Sequence, residues 1–67
     1  MSITVSVNGD LRQVCESLTL SRLIETMDVK GRYAVEVNGK IVAKSYHGQY
    51  TFVDGDEIEI VIAVGGG

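Results

Sequence analysis

Asn8-Gly9 and Asn38-Gly39 each stand between two segments in which apolar and polar residues alternate. An Asn-Gly pair accepts positive φ at both positions, which a tight hairpin turn requires, so each pair predicts an antiparallel hairpin. In the first hairpin, "ITVSV" places Ile3, Val5 and Val7 on one face, and the return strand runs from about Leu11 to Cys15. In the second, Tyr33–Val37 pairs with Lys40–Ala43. Alternation with a period of two marks strands that bury a single face. No proline interrupts these segments.

Between the hairpins lies "TLSRLIETM", where Leu20, Leu23, Ile24 and Met27 recur at the spacing of an amphipathic helix. Thr19 is its expected N-cap, without a capping box, and the Asp28–Arg32 segment containing Gly31 ends it. Beyond the second hairpin, "KSYHGQ" is irregular with room for one helical turn, "YTFV" reads as a short extended segment, and "DGD" at 54–56 as a tight turn. The last strand, Glu57 to Val64, is the most apolar. Its alternation directs Ile58, Ile60, Ile62 and Val64 to the core, and Glu57, Glu59, Val61 and Ala63 to the other face.

Two hairpins, one helix and a long final strand define an α+β domain. The economical arrangement packs the helix across one face of a mixed four- to five-stranded sheet. The last strand is then central, beside the first and parallel to it. That is the β-grasp, or ubiquitin-like, fold. Residues 1–64 form the domain, and Gly65, Gly66 and Gly67 form a flexible tail.

A chain of 67 residues supports one domain and buries only about 60% of its unfolded surface, so its small core must be well filled. The six Lys and Arg residues are scattered through a chain of net charge −3, which argues against nucleic-acid or anionic-membrane partners. Cys15 is the single cysteine, so no internal disulfide or cysteine metal site can form. Without a signal-like N-terminus or a membrane-length apolar run, the expectation is a cytoplasmic protein, monomeric when free.

Catalytic patterns are missing. There is no phosphate-binding glycine loop, and the sole histidine, His47, reads as a packed or solvated loop residue rather than a base. Cys15 reads as a structural edge residue, Asp54 and Asp56 as turn formers, and Glu57 and Glu59 as a solvent face. No metal site and no cofactor bound by this chain are expected. The face that turns from acidic to apolar at Val61 and Ala63, completed by Val64 at the root of the tail, reads as a docking patch. Three extended glycines reach about 10 Å beyond the strand, and without Cβ atoms Gly65 and Gly66 can thread a narrow channel. The chemically distinctive group is then the Gly67 carboxylate. Ionised at neutral pH, it is a poor electrophile. Activation requires a leaving group, formed for instance by attack on the α-phosphate of ATP, and the ATP site must belong to a partner.

The chain resembles the ThiS family of sulfur carriers in thiamine biosynthesis. The resemblance rests on "VNG" at 7–9, "LIETM" in the helix, "AVEVNGKIVAKS" at 34–45, "DGDEIEIV" at 54–61 and "VGGG" at 64–67. Departures are Ala43, where relatives often carry proline, and His47, where they often carry tryptophan. The resemblance implies a protein co-substrate rather than an enzyme. An adenylyltransferase resembling ubiquitin-activating enzymes, using ATP with magnesium, would adenylate Gly67. Sulfur from a cysteine desulfurase or another persulfide donor would replace AMP, and thiazole synthase would receive it from the resulting thiocarboxylate. A carrier resembling the small subunit of molybdopterin synthase, or a ubiquitin-like protein modifier, would share the same fold and tail.

Overall fold

The structure is a computed structural model and describes residues 1–62. Its elements are β1 (Ser2–Val7), β2 (Asp10–Cys15), α1 (Leu20–Thr26), β3 (Tyr33–Val37), β4 (Lys40–Ile41) and β5 (Glu57–Ile62). The strands form one five-stranded sheet in the order β2-β1-β5-β3-β4. The last strand is central, parallel to β1 and antiparallel to β3, as the chain order requires. Val5, Val7, Val35, Val37, Ile58 and Ile60 are buried together with Leu20, Leu23 and Ile24 of α1 and with Phe52. The helix therefore covers one face of the sheet and leaves the other uncovered. The expected domain boundary after Val64 lies outside the described residues.

Both hairpin corners adopt positive φ throughout, at Asn8 (51°) and Gly9 (88°) and at Asn38 (52°) and Gly39 (82°). At each corner the asparagine side chain takes a rung from β5. Asn8 Oδ1 accepts from the Ile60 N–H at 2.8 Å, while the Asn8 N–H donates to the Ile58 carbonyl. Asn38 Oδ1 accepts from the Glu57 N–H at 2.9 Å, while the Asn38 N–H donates to the Glu57 carbonyl. Asp54 does the same at the start of the parallel ladder, where its Oδ1 accepts from the Thr4 N–H at 2.8 Å. The asparagines thus both make the turns and extend the pairing of β5 on its two sides.

Asp56 is more than a turn former. The residue is only 5% exposed, with its Oδ1 accepting from Asn38 Nδ2 at 3.0 Å and its Oδ2 from the Val53 N–H at 2.9 Å. Asn38→Gly keeps the turn geometry but removes both the Glu57 rung and a donor to a buried carboxylate. Asn8→Gly removes a single neutral rung. We expect losses of about 2–3 and about 1 kcal/mol respectively, measured by urea unfolding.

One strand boundary needs correction. Strand β4 ends at Ile41 rather than Ala43. Val42 still donates to the Val35 carbonyl, but Ala43 then leads into a 3₁₀ turn at Lys44–Tyr46. The "YTFV" segment contributes one bridge, Thr51 to Thr19, and otherwise buries Phe52 against Tyr50. Helix α1 begins at the expected cap, with Thr19 Oγ1 accepting from the Arg22 N–H, and ends before the expected Asp28–Arg32 segment, in which Asp28 and Gly31 both have positive φ.

Ala43 has φ −62° and ψ 144°, close to the values proline imposes, and it follows Val42, whose N–H still pairs with β3. Among the described residues its N–H has no hydrogen-bond acceptor. We therefore expect Ala43→Pro to stabilise the domain by about 0.5–1 kcal/mol, seen as a rise in Tm.

Candidate functional site at the end of the last strand

The β1–β2 hairpin turns back at Asn8, so β1 supplies β5 with strand neighbours only at Glu57 and Ile58. Beyond Ile60, β5 is paired on one side alone, Val61 to Ala34 and Ile62 to Tyr33. Val61 and Ile62 consequently lie past the end of the first hairpin, each about half exposed. Val61 lies on the uncovered face, 50% exposed. Ile62, which the alternation assigns to the core, is 53% exposed. The alternation is real, but the core ends before this residue because neither β1 nor α1 reaches it. Ala63, Val64, Gly65, Gly66 and Gly67 lie outside the described residues.

On the covered face, Tyr33 beside Ile62 is part of a small aromatic and cationic group. The His47 ring stacks on Tyr33 with centroids 6.2 Å apart, and Lys44 Nζ sits 4.6 Å from the Tyr33 ring centroid. His47 is buried, and its Nε2 lies 3.1 Å from the Val42 carbonyl oxygen. This contact engages one ring nitrogen in supporting the loop after β4. A sequence shows His47 in a polar stretch; only the fold reveals the slot between Tyr33 and Val42.

Cys15 is exposed at the end of β2. Hydrogen bonding to the Ser17 side chain, with Oγ 3.1 Å from Sγ, and then to the Ser17 backbone, holds its thiol pKa below the ordinary value. It is far from Ile62, the last described residue. Cys15 pairs with Ser2, four residues before Ser6 opposite Glu57, and Ile62 lies five residues further on. At the rise of an extended strand the separation along the sheet is about 30 Å. Within one domain Cys15 and the described end of β5 therefore lie at opposite ends of the sheet. Among the described residues no group of His, Cys, Asp and Glu has the geometry of a metal centre. No helix among them is long and apolar enough to cross a membrane.

The strand order, the single helix and the projecting last strand define the class: a β-grasp, ubiquitin-like domain. The chain belongs to the ThiS family, the sulfur carriers its sequence resembles, and the family model matches residues 5–67. The crystal structure of a thiamine biosynthesis protein from Geobacter metallireducens superposes with a TM-score of 0.79 at 30% identity, covering 97% of this chain and all of that one. The solution structure of a thiamine biosynthesis protein from the same organism gives a TM-score of 0.75 at 30% identity, covering 97% of this chain and 88% of that one. A thiazole synthase of Paramagnetospirillum magneticum is 42% identical over 62 residues, covering 91% of this chain. The chain spans only 19% of that enzyme's length. A Porphyra purpurea protein without an assigned function is 32% identical over 68 residues, covering 98% of this chain and 94% of its own length.

Proposed function

We propose that this domain carries sulfur for thiazole formation in thiamine biosynthesis, with the Gly67 carboxylate as the carrying group. The observation that carries this reading is the family match, which continues through Gly65 and Gly66 to Gly67. The thiazole synthase relative adds support, since a segment similar to nearly all of this chain occurs within an enzyme of that name.

In this reading a carboxylate oxygen of Gly67 attacks the α-phosphate of ATP on an adenylyltransferase, with magnesium offsetting the phosphate charge, and pyrophosphate leaves. The terminal sulfur of a persulfide, supplied through a cysteine desulfurase or another donor, attacks the acyl carbon and expels AMP. A second thiol then cleaves the sulfur–sulfur bond, leaving a thiocarboxylate on Gly67 and a disulfide on the donor. Thiazole synthase receives the sulfur and the carboxylate is restored. Gly65 and Gly66 pass through the partner's channel, while Val61, Ala63 and Val64 meet its mouth. The domain supplies position and reach, and the partners supply the catalytic groups.

Intact-mass analysis tests this reading after incubation with ATP, magnesium, the adenylyltransferase and a persulfide donor. The expected product has one oxygen of Gly67 exchanged for sulfur. An unchanged mass, with an enzyme shown to be active on another carrier, would overturn it.

A further inference from the structure

The two Asn-Gly corners match in backbone and differ in how their side chains are held. Asn8 and Asn38 have φ 51° and 52°, Gly9 and Gly39 have 88° and 82°, and the space where either glycine's Cβ would stand is open. Asn38 is tied at both ends of its amide. Its Oδ1 accepts from the Glu57 N–H, and its Nδ2 donates to the buried Asp56 carboxylate at 3.0 Å. Asn8 is tied at one end, through Oδ1 to the Ile60 N–H, and its Nδ2 has no hydrogen-bond partner among the described residues. The electrostatic surroundings differ as well. Asn38 and Gly39 line one hollow with Glu36, Glu57 and Glu59. In sequence, Lys40 follows Gly39 and Asp10 follows Gly9.

We propose that Asn8 is a modification site: in the folded chain it deamidates through a cyclic imide, the isoaspartate so formed frees β5 at Ile60, and the fold protects Asn38 from the same reaction. The backbone nitrogen of Gly9 attacks Cγ of Asn8, an approach that no Cβ obstructs. The bond between that nitrogen and Cγ forms, the Cγ–Nδ2 bond breaks, and ammonia leaves carrying the proton of the Gly9 N–H. Water then opens the imide. Opening at Cγ gives aspartate, and opening at the main-chain carbonyl gives isoaspartate, whose backbone runs through Cγ and is longer by one carbon. The balance is one water consumed and one ammonia released, with no oxidation or reduction. To react, an asparagine must swing its amide off β5. Asn8 gives up one hydrogen bond. Asn38 gives up two, one of them to a charged group, and leaves the buried Asp56 carboxylate short of a donor. Attack also builds negative charge on the reacting amide. The four carboxylates around Asn38, from Glu36, Asp56, Glu57 and Glu59, oppose that charge and outnumber the neighbouring Lys40.

The Asn8 rung to Ile60 is the last tie that the first hairpin gives to β5, since Val61 and Ile62 pair with β3 alone. The extra backbone carbon of isoaspartate displaces the side chain that makes this rung. Aspartate keeps an acceptor oxygen in place and preserves it. The modification is independent of the sulfur-carrier reading, and it loosens β5 at the end of its described length.

The test incubates the folded full chain in mildly alkaline buffer well below its Tm, then maps the products by digestion and mass spectrometry with chromatographic separation of isoaspartyl peptides. Asn8 is expected to deamidate about tenfold or more faster than Asn38. In urea, where neither side chain is held, the two rates should come within about threefold of each other. In the isolated isoaspartyl form the Ile60 amide should exchange its hydrogen about tenfold or more faster than in the unmodified chain. The Asn38 amide, which donates to Glu57 on the other side of β5, should keep its unmodified exchange rate. Equal rates at the two corners of the folded chain, faster reaction at Asn38, or no product at Asn8 overturns the proposal. So does a preference for Asn8 that persists undiminished in urea, which would trace it to local sequence rather than to the fold. An Ile60 amide that isoaspartate leaves unchanged overturns it too, because the rung would then have survived.

Discussion

Ile58→Ala should leave most of the chain unfolded near physiological temperature. Ile58 is 1% exposed and lies in register with Val7 on one side and Val37 on the other. It therefore holds the two hairpins together in the middle of the core. Removing three buried carbon atoms there costs about 2–5 kcal/mol, because the rigid strands on both sides limit collapse into the cavity. A domain of this size is stable by about 3–10 kcal/mol in total. Each kcal/mol corresponds to about 4–8 °C in Tm, so a fall of about 10–30 °C is expected in calorimetry or thermal circular dichroism. Ile62→Ala, four residues along the same strand, should change stability by less than about 1 kcal/mol, since Ile62 is already half exposed. Equal losses at the two positions would show that the core extends further along β5 than described.

Deleting Gly67 should have the opposite profile. Among the described residues the buried core ends at Ile60, and Gly67 has no side chain to bury, so the truncated chain should fold with an unchanged Tm. Under the sulfur-carrier reading it should nevertheless acquire no sulfur, because the carboxylate of Gly66 would stop one residue, about 3.5 Å, short of the adenylation site. A misplacement of even 1 Å can cost about a hundredfold in rate, so activity should fall below detection by intact mass or pyrophosphate exchange. Gly67→Ala keeps the length and tests channel width separately. Sulfur acquisition by the truncated chain at the wild-type rate would remove Gly67 from the mechanism.

The contrast between these variants indicates which features a sequence exposes. Both hairpins, the helix and the central position of β5 follow from local periodicity and from Asn-Gly chemistry. Asn8 and Asn38 declare their turns in sequence, but their second role, completing the ladders of β5, depends on residues far along the chain. Asp56 reads as a turn residue because its partners, Asn38 and the Val53 N–H, are supplied by the fold. His47 is buried because Tyr33 and the Val42 carbonyl frame its ring. Ile62 shows the converse limit: alternation assigns a face, but not where the opposing layer ends. Of the residues expected to dock a partner, Val61 is placed on the uncovered face, while Ala63 and Val64 lie outside the described residues.

The side-chain rungs that hold β5 also bear on the order in which the chain assembles. Each Asn-Gly hairpin is closed by neighbours in sequence, whereas the β1–β5 pair joins residues about fifty positions apart, a slow closure. During synthesis the two hairpins emerge first, with a vacant slot between them already edged by Asn8 and Asn38. Only a chain extended through β5 can fill it. A product broken off before Glu57 would expose two unpaired sheet edges and invite proteolysis. In this architecture, completing the fold and reaching the segment that precedes the glycines are one event, so a folded domain is also a record that translation has passed β5.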